Sequence, residues 1–297
     1  MELCLGTVQF GLKYGISGYG QPDLLDCIDM LDYAYNAGIK TFDTAAAYGI
    51  AEEVVGEFIK QKKISRNSIK IISKTSPTIF KSENRKEWYI KAKESLLYSL
   101  DRLNTDYLDG YMLHSANDIY DSEVIYILNK LKDENLVKSI GASIYTTEEA
   151  EKTIEYEQNT IIQIPYNIFD QRLNKAGFFE SEKLKIKDIY ARSAFLQGLL
   201  VMNISKVPTY LKEVVPLIEK FDRLCYEYGV TRAQAAIDYV KENKRINYLV
   251  FGVDNLFQLK EINEMFQRNT NREIIKIIAN EFANINERLI MPNLWTI

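Results

Sequence analysis

The chain has 297 residues, 46% of them hydrophobic, and carries a formal net charge of −4. That length and apolar share suffice for a full hydrophobic core, and the interspersed charges leave no basic stripe for nucleic acid and no charged tail. The three cysteines, Cys4, Cys27 and Cys225, are widely spaced and form no CxxC pair, so a disulfide frame and a zinc site are not expected, whereas a reducing, cytoplasmic setting is.

Met1 leads, without a basic leader, into an apolar run at 3–7 that reads as a strand. A helix at 24–37 follows, with Leu24, Leu25, Ile28, Leu31 and Ala34 as its apolar set and Gly38 as its stop. Strand 41–44, helix 52–60 and strand 69–74 come next. The helix over 86–103 directs Trp88, Ile90, Ala92, Leu96, Leu97 and Leu100 towards a core. The alternation continues through strand 107–113, helix 123–134, strand 139–143, helix 148–155 and strands 161–165 and 188–192. Helices are expected at 211–228 and at 232–241, where Thr231 reads as an N-cap. A last strand at 248–251 precedes helices at 255–266 and 271–282. Each strand is short, apolar and bounded by polar or turn residues, as strands buried on both faces are. None of these runs approaches the roughly 18 apolar residues that span a bilayer, so no membrane role is expected.

Eight strands alternating with helices predict a parallel sheet with helical crossovers. Eight such units in this length predict an α/β fold of the closed (β/α)8 TIM-barrel type, a parallel eight-stranded barrel with extra helices near the C-terminus, as a single domain over 1–297. An open doubly wound sheet is the alternative. Against it, the first strand is followed by Gly6-Thr7-Val8-Gln9-Phe10-Gly11, which lacks the GxGxxG spacing of a dinucleotide turn.

A barrel of this kind carries its chemistry at the C-terminal strand ends. Asp43 and Tyr48 lie just past the second strand, Lys74 ends the third, and His114, the single histidine of the chain, closes the fourth. Tyrosine is a poor acid, with a reference pKa near 10. An ammonium at Lys74 favours the phenolate of Tyr48 and lowers that pKa. Asp43 keeps Lys74 charged, and His114 hydrogen-bonds and orients a substrate oxygen. The four describe protonation of a carbonyl oxygen while a hydride reaches carbon, with no nucleophile and no metal required.

Gly38-Ile39-Lys40-Thr41-Phe42-Asp43-Thr44-Ala45-Ala46-Ala47-Tyr48-Gly49, continued by Ala51-Glu52-Glu53-Val54-Val55-Gly56, resembles the first signature of the aldo-keto reductases. Ser95-Leu96 through Arg102-Leu103-Asn104-Thr105-Asp106-Tyr107-Leu108-Asp109, running on to His114, resembles the middle one. Leu5-Gly6-Thr7-Val8-Gln9-Phe10-Gly11 and Gly141-Ala142-Ser143 fit as well, so the likeness covers essentially the whole chain. It implies a barrel that binds NAD(P)H without a Rossmann fold and reduces carbonyls reversibly. It also implies that Asp43, Tyr48, Lys74 and His114 are the catalytic tetrad, with Tyr48 as general acid.

For the cofactor, the resemblance implies Gly6 and Thr7 at the first strand, and Ser143 and Gln163 on the nicotinamide carboxamide. Ile144 stands where an asparagine is common. Arg192 takes the place of a tyrosine that stacks on the nicotinamide. A guanidinium plane can stack on a ring, so Arg192 either keeps that role, hydrogen-bonds an acidic part of the substrate, or supports the strand end. At the adenosine end the corresponding residues are Gly252, Asp254, Gln258 and Glu261, where NADPH-dependent members place Lys or Arg. A carboxylate repels a 2′-phosphate and can accept a bond from a free ribose hydroxyl, so NAD(H) is favoured, with Lys260 as the nearest cation. The expected partner is a small-molecule carbonyl substrate. Its selection is expected in the loops 115–122 and 196–210 and the tail 283–297, whose polarity favours a sugar-like carbonyl. Tyr14 and Trp295 are candidates for the barrel mouth. The oligomeric state is not legible. Two other functions fit the same scaffold: a cofactor-binding regulatory or structural protein, and a lyase using Lys74 as a Schiff-base amine.

Overall fold

The computed structural model describes residues 1–16, 20–268 and 271–295. Its strands are β1 (Glu2–Gly6), β2 (Thr41–Asp43), β3 (Lys70–Lys74), β4 (Leu108–Leu113), β5 (Val137–Ser143), β6 (Asn159–Pro165), β7 (Asp188–Arg192) and β8 (Tyr248–Phe251). Each pairs in parallel with the next, and β8 returns to β1, so the sheet closes and leaves no open edge. This is the (β/α)8 barrel that the alternation predicts, and the open sheet is excluded.

The helices are α1 (Val8–Gly11), α2 (Leu24–Asn36), α3 (Ala51–Gln61), α4 (Trp88–Arg102), α5 (Ser122–Asp133), α6 (Thr147–Glu155), α7 (Arg172–Lys175), α8 (Val215–Glu227), α9 (Arg232–Glu242), α10 (Leu256–Gln267), α11 (Arg272–Glu281) and α12 (Glu287–Ile290). Side chains start several of them by accepting otherwise orphaned backbone N–H groups. Asp23 caps α2, Thr231 caps α9 and Asn255 caps α10. Thr146 and Glu149 form a reciprocal capping box at α6.

Inside the barrel, Cys4, Ile72, Met112, Ile161, Tyr190, Tyr248 and Val250 pack together. Gly110 on β4 makes this possible. A Cβ there would lie 2.7 Å from the Cδ1 atoms of both Ile72 and Ile161. At the N-terminal end of the strands the Tyr190 and Tyr248 rings stack with centroids 4.4 Å apart, and Lys70 Nζ donates to the Tyr248 hydroxyl at 2.6 Å. A much larger apolar layer joins the outer face of the barrel to the helices. All three cysteines are free and buried.

Three helical expectations need correction. Leu24 and Leu25 are exposed; the face that α2 buries is made by Cys27, Ile28, Met30, Leu31 and Ala34. Ile90 and Leu97 also face solvent; α4 buries the narrower stripe of Trp88, Ala92, Leu96, Ser99 and Leu100. The single helix expected over 211–228 is a 3-10 segment at Thr209–Val214 followed by α8, whose first turn holds Pro216. Proline has no N–H to donate and its ring clashes with the preceding turn, so it suits a helix start and not a helix interior.

Candidate active site

The register places Asp43 beside Gly6 and Ile72, Lys74 beside Met112, Ser143 beside Gln163, and Arg192 beside Pro165. These side chains therefore meet at the C-terminal rim. Thr7 fixes the rung at Asp43, since its backbone N–H and its hydroxyl both donate to the Asp43 carbonyl, at 2.9 and 3.1 Å. Lys74 is only 1% exposed. Its Nζ donates to Asp43 Oδ1 at 2.7 Å, to Oδ2 at 2.8 Å and to the Thr44 carbonyl at 3.0 Å. Burial works against this ammonium, but the Asp43 carboxylate and its hydrogen bonds outweigh it and hold the pKa above the usual lysine value. Gln163 Nε2 donates to Asp43 Oδ1 at 2.7 Å, and Ser143 Oγ donates to Gln163 Oε1 at 3.0 Å. Ser143, Gln163, Asp43 and Lys74 thus form one hydrogen-bonded chain across strands far apart in sequence.

The half-buried Tyr48 stands against this chain, its ring centroid 5.0 Å from Lys74 Nζ. The His114 ring meets it edge-on, with centroids 5.7 Å apart. Lys74 does pull the Tyr48 pKa down, as its charge requires, but burial is the larger effect and the net shift is upward. The expectation of a lowered phenol pKa is therefore corrected: Tyr48 keeps its proton at neutral pH. His114 is pushed down to about 4, first by burial and then by the Lys74 charge. The imidazole is neutral at neutral pH, and its Nδ1 is buried with no hydrogen-bond partner among the described residues.

A cavity of about 540 Å³ opens beside these groups. Asp43, Tyr48, Gln163, Gly6 and Arg192 line one part of it, and Gly252, Asp254, Gln258 and Glu261 line another. Thr7 and Ser143 do not line it; each is buried and bonded to a group that does or to its backbone. Lys74 and His114 are not among its lining residues: Lys74 is enclosed against Asp43, and the partly exposed His114 abuts the Tyr48 ring at the rim. Lys260 faces away, its Nζ 5.5 Å above the Tyr33 ring on α2. At the start of α10 the Asp254 backbone N–H donates to Gln258 Oε1 at 2.8 Å, and Gln258 Nε2 donates back to Asp254 Oδ2 at 3.4 Å, so the two residues of one turn close on each other.

The expected loop 196–210 does contribute, through Gln197 and Lys206, whereas Val8, Gln9, Gly15 and Phe195 were not anticipated as lining residues. They lie in the loops after β1 and β7, and the rule that barrel chemistry sits in such loops is the signal that reaches them. Tyr14 lines the mouth as expected. Trp295 instead packs against the outer core. The two loops touch: Gln197 Nε2 donates to the Tyr14 hydroxyl at 3.2 Å, and the Ile16 N–H donates to the Gln197 carbonyl at 3.2 Å. In the second loop Ser193, Leu196 and Gln197 adopt positive φ angles of 63°, 48° and 54°, a conformation that side-chain-bearing residues seldom hold without outside support.

The fold defines a (β/α)8-barrel protein with a polar cluster at the catalytic end of its strands. The model of the aldo/keto reductase family matches residues 2–280, and the chain belongs to that family. It is thereby an oxidoreductase of the carbonyl-reducing kind. Among its relatives, the NADH-specific methylglyoxal reductase of Escherichia coli (strain K12) is 26% identical over 291 residues, covering 86% of this chain and 87% of the relative. Aldo-keto reductase YhdN of Bacillus subtilis (strain 168) is 24% identical, covering 90% and 86%. The structure of aldo-keto reductase AKR11C1 from Bacillus halodurans, in its holo form, superposes with a TM-score of 0.75 at 22% identity, covering 97% of this chain and 94% of that one, and so shares the fold.

Proposed function

We propose that this chain uses NAD(P)H, with a preference for NADH, to reduce a small aldehyde or ketone to the alcohol in the cytoplasm, with Tyr48 as the proton donor. The observation that carries this reading is a protonated phenol on a cavity wall, backed by a buried ammonium and a neutral imidazole. When bound, the nicotinamide cofactor supplies the hydride. Tyr48 holds its proton at the phenol oxygen and passes it to the carbonyl oxygen as negative charge gathers there. Lys74, kept charged by Asp43, steadies the phenolate that remains. His114 stays neutral and orients the carbonyl without titrating. The ion pair also argues against the Schiff-base lyase, since an amine held protonated is not a nucleophile.

The cavity suits a dinucleotide. It extends from Tyr48 to the start of α10, and Gln9 brings to its wall a buried amide oxygen with no partner among the described residues. Gly6, Gln163 and Arg192 would hold the nicotinamide half, with Thr7 and Ser143 supporting them. Gly252, Asp254, Gln258 and Glu261 would hold the adenosine half. Two carboxylates there, with Lys260 turned towards Tyr33, disfavour a 2′-phosphate. The Escherichia coli relative is named as an NADH-specific reductase, which supports that preference.

Purified protein should oxidise NADH in the presence of at least one member of an aldehyde panel; no turnover with either cofactor across the panel rejects the reductase reading. Dissociation constants from protein fluorescence quenching should be no weaker for NADH than for NADPH. NADPH binding at least tenfold tighter, about 1.4 kcal/mol, rejects the preference.

A further inference from the structure

Two cations line this cavity, Lys206 and Arg192; Arg192 stands at the reactive end, and the proton transfer proposed at Tyr48 makes no use of its charge. It lines the same wall as Asp43, Tyr48 and Gln163 and is half-buried at the end of β7. Its Nη2 donates to the Ile144 carbonyl at 2.9 Å, and its Nη1 reaches Ser193 Oγ at 3.3 Å. The carbon at its centre lies 4.5 Å from the Tyr145 ring centroid. A guanidinium has five N–H donors in a rigid planar fork, so most of them have no acceptor among the described residues. No carboxylate lies within ion-pair distance of it among the described residues either, in contrast to Arg66, Arg102 and Arg172, whose guanidinium groups each contact an aspartate or glutamate.

The charge balance of the rim points the same way. Asp43 and Lys74 neutralise each other, Tyr48 is a neutral phenol, and His114 is a neutral imidazole. One positive charge therefore remains at the reactive end, close enough to act on Tyr48, Tyr14 and His114 alike. A half-buried cation without a counter-charge is costly. The contacts to Ile144, Ser193 and Tyr145 hold it in place without neutralising it.

We propose that Arg192 is an anion-recognition residue that selects carbonyl substrates bearing a carboxylate. This deepens the reductase reading and rests on it. The reducible carbonyl lies at Tyr48, and the carboxylate takes the open edge of the guanidinium fork through paired charge-assisted bonds. The Tyr145 face beneath the intrinsically planar fork keeps it aimed. The residue acts on which carbonyl compound is bound, and it neither gives nor takes the proton.

The test uses two aldehydes of different reach, 4-oxobutanoate and 4-carboxybenzaldehyde, each against its neutral amide. In the wild-type protein kcat/KM should favour the carboxylate over its amide by roughly tenfold to a hundredfold for at least one pair. In R192Q, whatever happens to turnover as a whole, that ratio should collapse towards unity; R192K should keep part of it, since a point charge survives but the fork is lost. The dissociation constant of NADH, measured on the same variants, separates the other source of anionic oxygens, the cofactor pyrophosphate. Weaker NADH binding with an unchanged carboxylate-to-amide ratio assigns Arg192 to the cofactor and overturns the proposal. An absent preference in the wild-type protein overturns it as well. If no aldehyde is turned over, calorimetric titration with 4-(hydroxymethyl)benzoate and its amide decides the matter. Binding of the benzoate alone, lost in R192Q, upholds the anion site while the reductase reading fails; equal binding or none rejects the anion site.

Discussion

Strand β3 begins and ends with a lysine, and each lysine meets a tyrosine. At the N-terminal end Lys70 donates to the Tyr248 hydroxyl at 2.6 Å. At the C-terminal end Lys74 lies 5.0 Å from the Tyr48 ring centroid. The residue types match, and in both pairs the phenol pKa is raised chiefly by burial. The surroundings differ. Lys70 reaches water, and its tyrosine stacks on Tyr190 in a filled barrel end. Lys74 is enclosed, held by both oxygens of Asp43, and its tyrosine faces a cavity. A lysine beside a tyrosine is thus a common packing motif. Reactivity requires a counter-charge that keeps the ammonium in a dry site, and space where a substrate oxygen can approach the phenol.

Substituting the two tyrosines breaks the comparison most sharply. Tyr48→Phe should lower kcat by roughly 10²–10⁴-fold, whereas Tyr248→Phe should turn over as the wild-type protein does. Steady-state assays on both variants check this, and retained activity in Tyr48→Phe removes the proton donor from the mechanism. His114→Ala should lower kcat/KM over a similar range if the imidazole orients the carbonyl. The lysines separate by stability. Asp43→Asn leaves a buried ammonium without its counter-charge and should cost about 3–5 kcal/mol, while Lys70→Met removes one partly exposed hydrogen bond and should cost about 1 kcal/mol. Urea unfolding followed by circular dichroism measures both.

The smallest effect concerns the single imidazole. Its folded pKa, about 4, lies below the unfolded reference of 6.5. The folded state therefore binds fewer protons between those values. The contribution of His114 to stability is complete above pH 6.5 and declines as pH falls towards 4. Because the chain has one histidine, its ring resonances give an unambiguous titration. They should be constant from pH 8 to pH 5.5 and move only below that; a midpoint near 6.5 would place the ring in water.

The fold was legible because every barrel strand is a short apolar run with polar ends, and its register follows from closure. That Asp43, Lys74 and His114 would meet at one rim was legible for a related reason: each marks the end of such a run. What escaped was set by distance in sequence. The hydrogen bond from Gln163 to Asp43 spans 120 residues, and apolar periodicity says nothing about it. The same holds for the contact between Tyr14 and Gln197. Helical periodicity overcounted buried positions at Leu25 and Leu97, because it marks a face without saying how much of that face the barrel covers. The upward shift of the Tyr48 pKa depends on how deeply the phenol is enclosed, which only the closed structure determines.

The placement of the cysteines has a consequence for survival in the presence of reactive chemicals. Burial pushes the Cys27 and Cys225 thiols up to about 12. Cys4, enclosed in the barrel and near the Asp43 carboxylate, is also raised well above its usual value. Carbonyl compounds are electrophiles, and the thiolate is the form of cysteine that attacks them. This chain presents no thiolate to the medium, and its one imidazole lies in the rim of the barrel. A carbonyl-reducing protein can thus work among electrophiles with its cysteine thiols protected from reaction with them, a form of chemical tolerance that follows from packing alone.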